Sequence, residues 1–173
     1  MEIQSHLRFI SFDAMIKKKL TKEQALQKLR HYCRYQERCC SEAKNKLFEL
    51  GINKNLHDEM IDELIDENYL NEERFAIAFA IGRFKMKQWG RKKIFYELKT
   101  KKLSTEIIQK GLEQISEKEY TKVLEKLAKE KYASLKHEQH LVRKKKTMDY
   151  LIQKGFEFDL VNSLVQKIIN NNY

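Results

Sequence analysis

The sequence predicts an all-α protein, an elongated and curved array of three tandem three-helix repeats of helix-turn-helix type. Three observations carry this expectation. The 173 residues include no proline and five glycines, too little turn punctuation for a many-stranded sheet protein. Apolar residues recur at helical spacing through most of the chain. A helix stop also recurs with a period of about fifty residues: Leu47, Gly51 and Ile52 align with Leu98, Lys102 and Leu103, and with Leu151, Gly155 and Phe156. None of these units is large enough to bury its apolar face alone, so each is expected to pack mainly on its neighbours and the array to present a long binding surface.

Residues 1–20 show no clear period, end in Lys17, Lys18 and Lys19, and read as a loose arm. The first repeat, 21–70, opens with Thr21 and Gln24 in capping-box spacing, followed by Ala25, Leu26, Leu29 and Cys33 along one face. Ser41 is a candidate cap for a second helix bearing Ala43, Leu47 and Leu50, which Gly51 ends. A third helix from about Asn55 to Asn68 runs through the apolar residues Leu56, Met60, Ile61, Leu64 and Ile65. Its other face carries Asp58, Asp62 and Asp66, with Glu59, Glu63 and Glu67 beside them, and reads as a solvated or acidic docking face.

The second repeat, 71–116, starts at Asn71, a helix N-cap residue, with Glu72 and Glu73 at the positive end of the helix dipole. Phe75, Ala78, Phe79, Gly82 and Met86 form the expected apolar face. Gly90 is expected to supply the conformational freedom at the turn that follows. A helix from about Arg91 to Lys101 turns Ile94, Phe95 and Leu98 inward, and another from Ser104 to Ile115 turns Ile107, Ile108 and Leu112 inward. The third repeat, 117–173, begins at a possible capping box of Ser116 and Glu119. Its first helix would span roughly 33 Å if unbroken to Glu138. Helices at about Leu141 to Lys154 and Phe158 to Asn170 complete it, and the tail to Tyr173 is expected to fray.

A formal charge of +10 and a pI near 9.4 favour a polyanionic partner. Between Arg83 and Lys102 the only acid is Glu97. The candidate contact residues there are Arg83, Lys85, Lys87, Arg91, Lys92, Lys93 and Lys99, joined from the third repeat by Lys144, Lys145 and Lys146. The competing reading is a solvated basic face. Trp89 and Tyr96 could stack beside such a strip, whereas Phe95 shares the inward side of Ile94 and Leu98.

Catalytic chemistry is not expected. There is no glycine-rich loop between strand and helix to hold a nucleotide, and the histidines lack zinc-ligand spacing, so no cofactor, metal or catalytic residue is assigned. Cys33, Cys39 and Cys40 are odd in number and irregular in spacing, which points to free thiols. Nothing resembles a signal peptide or a spanning segment, because Arg8 and Asp13 break the stretch from Leu7 to Ile16. The expectation is a cytoplasmic protein with no membrane partner.

The run Tyr69, Leu70, Asn71, Glu72, Glu73, Arg74, Phe75, Ala76 resembles a signature of the RecX family, regulatory proteins of the bacterial RecA recombinase. Gly90, Arg91, Lys92, Lys93, Ile94, with Glu97 and Leu98, is similar to a second family element, and Ala25, Leu26, Leu29, Arg38, Ser41, Glu42, Leu47 and Gly51 to a third. The likeness covers about 21–115, and the third repeat by helical pattern. Asn71 stands where the family has aspartate, Arg91 where proline is common, and Lys102 where it has glycine. The resemblance implies a protein lying in the groove of the RecA–DNA filament, where it would inhibit ATP hydrolysis, strand exchange and coprotease activity, within recombination, DNA repair and the SOS response. Repeats that bury sequential interfaces are expected to leave the chain a monomer, and Lys and Arg contacts to phosphates to give weak, salt-dependent, non-specific binding to single- or double-stranded DNA.

Two other readings compete with it. One is a DNA-binding regulator reading bases with the helix after Gly51, which its carboxylates oppose. The other is a partner of acyl carriers or membrane surfaces recruited by basic charge.

Overall fold

The structure, a computed structural model, describes residues 20–170, which form nine α-helices and no strand. They are α1 (Lys22–Tyr35), α2 (Cys40–Glu49), α3 (His57–Asp66), α4 (Glu72–Lys87), α5 (Arg91–Thr100), α6 (Thr105–Glu113), α7 (Glu117–Ser134), α8 (His140–Gln153) and α9 (Phe158–Asn170), with one 3₁₀ turn at Lys54–Leu56 before α3. The expected arm, apart from Leu20, and tail residues 171–173 lie outside the described residues.

The recurring stop is one piece of backbone chemistry made three times. After α2, α5 and α8 the amides of Ile52, Leu103 and Phe156 donate to the carbonyls of Leu47, Leu98 and Leu151, at 3.1, 3.4 and 3.2 Å. Gly51, Lys102 and Gly155, between them, all take positive φ, at 73°, 69° and 92°. This left-handed residue closes the helix by satisfying carbonyls that the last turn leaves open, while the apolar residue after it folds back onto the leucine. All three leucines are fully buried. Lys102 therefore makes the same turn as the glycines, with the steric cost of a Cβ.

Several helix ends follow the sequence. Thr21 and Gln24 complete a reciprocal capping box, at 3.1 and 3.2 Å. Asn71 accepts from the Arg74 amide at 2.8 Å. Others depart from it. Cys39, not Ser41, holds the N-cap of α2; Ser41 sits within the first turn, its hydroxyl 3.2 Å from the Cys39 sulfur. Ser116 is at the N-cap of α7 but makes no side-chain cap bond. Helix α7 stops at Ser134, short of Glu138, because Arg143 from α8 donates Nε to the Tyr132 carbonyl at 2.6 Å and lays its guanidinium 3.5 Å from the Tyr132 ring centroid. No glycine marks that stop, so only the tertiary contact reveals it.

Helices α4–α9 share one continuous core, in which the fully buried Tyr120 ring lies 5.8 Å from Phe84 and 5.1 Å from Phe156 between centroids. Helices α1–α3 close a core of their own, Leu26 and Leu29 meeting Leu47, Met60 and Leu64. Packing mainly on neighbours thus holds for the second and third units, while the first is more self-contained. Its joint to the second unit is largely polar: Glu37 receives Arg74 Nε at 2.6 Å and Glu42 receives Lys101, with buried Cys39 the apolar exception.

Candidate interaction surfaces

The junction of α4, α5 and α8 gathers six of the ten candidate contact cations, Arg83, Lys85, Lys87, Arg91, Lys92 and Lys93. Helix α4 runs to Lys87, and the residue that turns left-handed is Gln88, at φ 53°, not Gly90. Gly90 caps α5 at an ordinary φ of −75°. Its missing side chain serves a close approach: a Cβ there would lie 2.2 Å from the carbonyl group of Gly155. The amides of Gly90 and Lys92 donate to the carbonyls of Lys154 and Gly155, at 2.8 and 3.0 Å, and the Arg91 amide donates to the Tyr120 hydroxyl at 3.0 Å. The C-terminal end of α8 therefore supplies the acceptors that the first turn of α5 lacks. That turn carries Arg91, Lys92 and Lys93 and no acid, an unfavourable charge for a helix N-terminus, which the aligned carbonyls of α8 offset.

The candidate cations separate into structural and open groups. Arg91 is tied in place, with its guanidinium 2.6 Å from Glu117, 3.3 Å from the Ile115 carbonyl and 4.1 Å from the Tyr120 ring centroid. It is a joint of the fold, whereas its neighbour Lys92 is exposed. Trp89 is half-buried, with Arg83 at 5.4 Å and Lys93 at 4.7 Å from its ring, so both cations are held over an aromatic face. Lys99 donates to the Thr105 hydroxyl at 2.7 Å, and Lys146 pairs with Glu138. Lys85, Lys87 and Lys92 are exposed and form no ion pair among the described residues. Lys154, which the sequence reading did not single out, joins them by donating to the Lys87 carbonyl at 3.1 Å. Lys144 and Lys145, also without ion pairs among the described residues, lie about ten residues before Lys154 in α8, roughly 15 Å along its axis.

The acidic face of α3 is partly neutralised from within. Asp58 receives Lys44 at 2.6 Å, Lys22 reaches Glu59 and Glu63 at 2.7 and 3.2 Å, and Arg30 spans Glu23, Glu63 and Glu67 at 3.0, 3.1 and 2.7 Å. Hydrogen bonds from Lys44 and Arg30 hold the carboxyls of Asp58 and Glu67 below the usual range. Asp58 is thus engaged inside the fold, whereas Asp62 and Asp66 stay exposed and unpaired among the described residues.

Helix α4 buries a different face from the one expected. Phe75, Ala76, Ala80 and Phe84 point inward, because α6 comes so near that a Cβ on Gly111 would stand 2.9 Å from the Ala76 backbone. The small residues Ala76 and Gly111 set that contact. Of the expected stripe only Phe75 is buried; Ala78, Phe79, Gly82 and Met86 line an open groove of about 520 Å³, flanked by Arg83 and Lys87 and, from the α1–α2 loop, Gln36 and Glu37. A second cavity, about 670 Å³, has Phe95, Leu112 and Ile115 in its wall, with exposed Tyr96 at the edge. Phe95 is accordingly half-buried rather than core.

Among the described residues no group of three or more His, Cys, Asp or Glu side chains is placed to hold a metal, and no helix is long and apolar enough to cross a membrane. The three cysteines are free; burial pushes the Cys33 thiol up to about 11 and Cys40 to about 12, away from reactive thiolate character.

Comparison with known proteins sharpens this picture. Residues 71–112 match the family model for the second three-helix domain of RecX, and residues 117–165 that for the third, together just over half of the chain. A regulatory protein RecX from Clostridium perfringens (strain 13 / Type A) is 32% identical over 134 residues, 76% of this chain and 62% of that relative, so the match spans less than two thirds of its length. The crystal structure of RecX from Lactobacillus salivarius superposes with a TM-score of 0.75 at 23% identity, over 84% of this chain and 95% of that one. A second crystal structure, of a regulatory protein RecX, gives 0.76 at 19% identity, over 83% and 70% of the two chains. Both share the fold of consecutive helical units described above. With two of its three helical units matched by RecX domain models, the chain belongs to the RecX family.

Proposed function

We propose that this chain is a cytoplasmic, monomeric regulator that binds the RecA–DNA filament and inhibits RecA ATPase, strand exchange and coprotease activity, with no enzymatic activity of its own. The observation that carries the reading is the cationic junction of α4, α5 and α8 on a RecX scaffold. Lys85, Lys87 and Lys92 stand exposed there without acidic partners among the described residues, beside Arg83, Lys93 and Lys154. A DNA-bound filament is a polyanion, and a repeat array touching several of its subunits gains avidity from linked contacts. Contact with DNA itself is non-specific and salt-sensitive, because lysines meeting phosphates release counterions without reading bases. Lys99, Lys144, Lys145 and Lys146 extend the candidate contact set, and Asp62 and Asp66 remain candidate docking acids. The division into repeats at 21–70, 71–116 and 117–173 belongs to the same proposal.

The alternative, a regulator acting on nucleic acid alone, places α3 in a DNA groove, and the carboxylates of α3 would face phosphates. DNA-dependent ATP hydrolysis by the cognate RecA, measured with increasing amounts of the chain, tests the proposal. Wild type should suppress hydrolysis, and the triple variant Lys85→Glu, Lys87→Glu, Lys92→Glu should need at least tenfold more protein. No suppression by wild type would overturn the assignment, and equal suppression by the variant would move the contact surface elsewhere.

A further inference from the structure

The groove along α4 is built to hold something. Its floor follows one face of the helix from Phe75, buried at the inner end, through Ala78, Phe79 and Gly82 to Met86, an extent of eleven residues, roughly 16 Å or three helical turns. Met86 is 82% exposed, although Met86 and Phe79 are the residue types a helix ordinarily buries. Gly82 is the second observation. It lies inside α4, where glycine costs stability relative to alanine, yet a Cβ there would meet nothing within 4 Å. Contrast Gly90, Gly111 and Gly155, each crowded by a neighbouring segment of this chain. No neighbour among the described residues explains why Gly82 has no side chain; a flat groove floor open to close approach by an outside backbone does.

Charge says what that backbone belongs to. Arg83 and Lys87 stand on one flank, and Arg83 already lies over the Phe79 ring, 4.8 Å from its centroid. Glu37 closes the other side with one carboxylate oxygen bonded to Arg74, while the other is buried without a partner among the described residues. An apolar floor with a carboxylate at its edge disfavours a nucleic-acid strand, which would set phosphates against Glu37 and leave Met86 uncovered.

The geometry points to a docking groove for an acidic, amphipathic helix of a partner protein, about three turns long. Bulky apolar side chains of that helix sit between Phe79 and Met86, its backbone passes over Gly82, and its carboxylates face Arg83 and Lys87. This rests on the filament-binding reading and deepens it: the cationic junction attracts the filament, and the groove holds a protein segment of it.

Two full-length variants test the groove. Gly82→Leu plugs it with a better helix former and should not lower the unfolding midpoint; Met86→Lys alters a solvent-exposed rim position. Wild type and both variants are compared on twelve-residue peptides tiling the cognate RecA sequence, together with unrelated amphipathic peptides of acidic and basic charge, and on RecA filaments and bare single-stranded DNA. Wild type should retain a peptide with apolar anchors and flanking acids, both variants should lose it at least tenfold, and both should bind filaments at least tenfold more weakly. Met86→Lys should hold bare DNA no worse than wild type. Retention of acidic amphipathic peptides, none from RecA, keeps the groove and sinks the filament reading. Equal peptide retention by wild type and variants, or no retained peptide at all, sinks the groove whether or not filaments bind. Unchanged filament binding by the variants overturns the groove as the filament's attachment point, and an equal loss of bare DNA identifies a nucleic-acid occupant and overturns the proposal.

Discussion

Gly90 and Gly155, sixty-five positions apart, meet backbone to backbone: a Cβ on Gly90 would stand 2.2 Å from the carbonyl group of Gly155, and the Gly90 amide donates to the adjoining Lys154 carbonyl at 2.8 Å. The contact joins the start of α5 to the end of α8. Gly90→Ala should therefore part the two helix ends and cost about 2–3 kcal/mol, the usual penalty for forcing atoms into a packed joint. Gly82→Ala, on an open face, should instead stabilise by about 0.5–1 kcal/mol. Urea unfolding of the two variants checks the contrast, and opposite signs are required.

Lys102 takes the left-handed turn that Gly51 and Gly155 take in the other units. Lys102→Gly should remove the strain of a Cβ at positive φ, and, set against the greater freedom of glycine in the unfolded chain, gain about 0.5–1 kcal/mol. Gly51→Ala, where no neighbour crowds the added methyl, should lose about 1 kcal/mol or more through backbone strain alone. Thermal melts of both variants would reveal whether the three turns are energetically alike.

Charge reversal should divide the basic junction. Arg91→Glu sets a carboxylate against Glu117 and removes the cation from the Tyr120 face, and should cost about 1–2 kcal/mol of stability, a figure kept small because Glu117 is largely exposed. Lys92→Glu touches no ion pair among the described residues and should leave the melting temperature within about a degree of wild type. Equal destabilisation by the two would show that Arg91 is not a joint.

Alkaline pH should loosen the packing of the second unit on the third. Tyr120 donates its hydroxyl to Glu157 at 2.6 Å, and burial followed by this bond pushes its pKa well above the ordinary 10.0. The unfolded chain releases that proton first as pH rises, so the tyrosine's contribution is complete below about pH 10 and declines above it. Tyr120→Phe should cost about 1–2 kcal/mol at neutral pH by stranding the Arg91 amide and Glu157, and should flatten the loss of stability between pH 10 and 11. Denaturant midpoints across pH 7 to 11 make the measurement.

The three helix stops were legible in the sequence because each is local: a leucine, a turning residue and an apolar residue five positions on specify the same backbone bonds wherever they occur. The Thr21 and Asn71 caps were legible for the same reason, since cap donor and acceptor lie three residues apart. The α7 stop at Ser134 was not, because the Tyr132 carbonyl, which accepts only a long 3.3 Å bond from the nearby Leu135 amide, is taken at 2.6 Å by Arg143 in the next helix. The approach of Lys154 to the basic cluster was equally hidden, since α8 must first dock on α5 before the residue that caps its C-terminal end can reach Lys87.

The sequence by itself determined the helical class, the threefold recurrence and the basic middle of this protein, all of which follow from side-chain period, short-range capping and summed charge. The tertiary structure alone decided which charges are free and which apolar face is buried. Arg91 and Lys92 are neighbours in sequence, yet one locks against Glu117 and Tyr120 while the other faces solvent. Ala76 and Ala80 are buried in place of Ala78 and Met86 because Gly111 allows α6 to approach that side of α4. The physical reason is common to both: exposure is a property of what packs against a residue, and the packing partner lies tens of positions away.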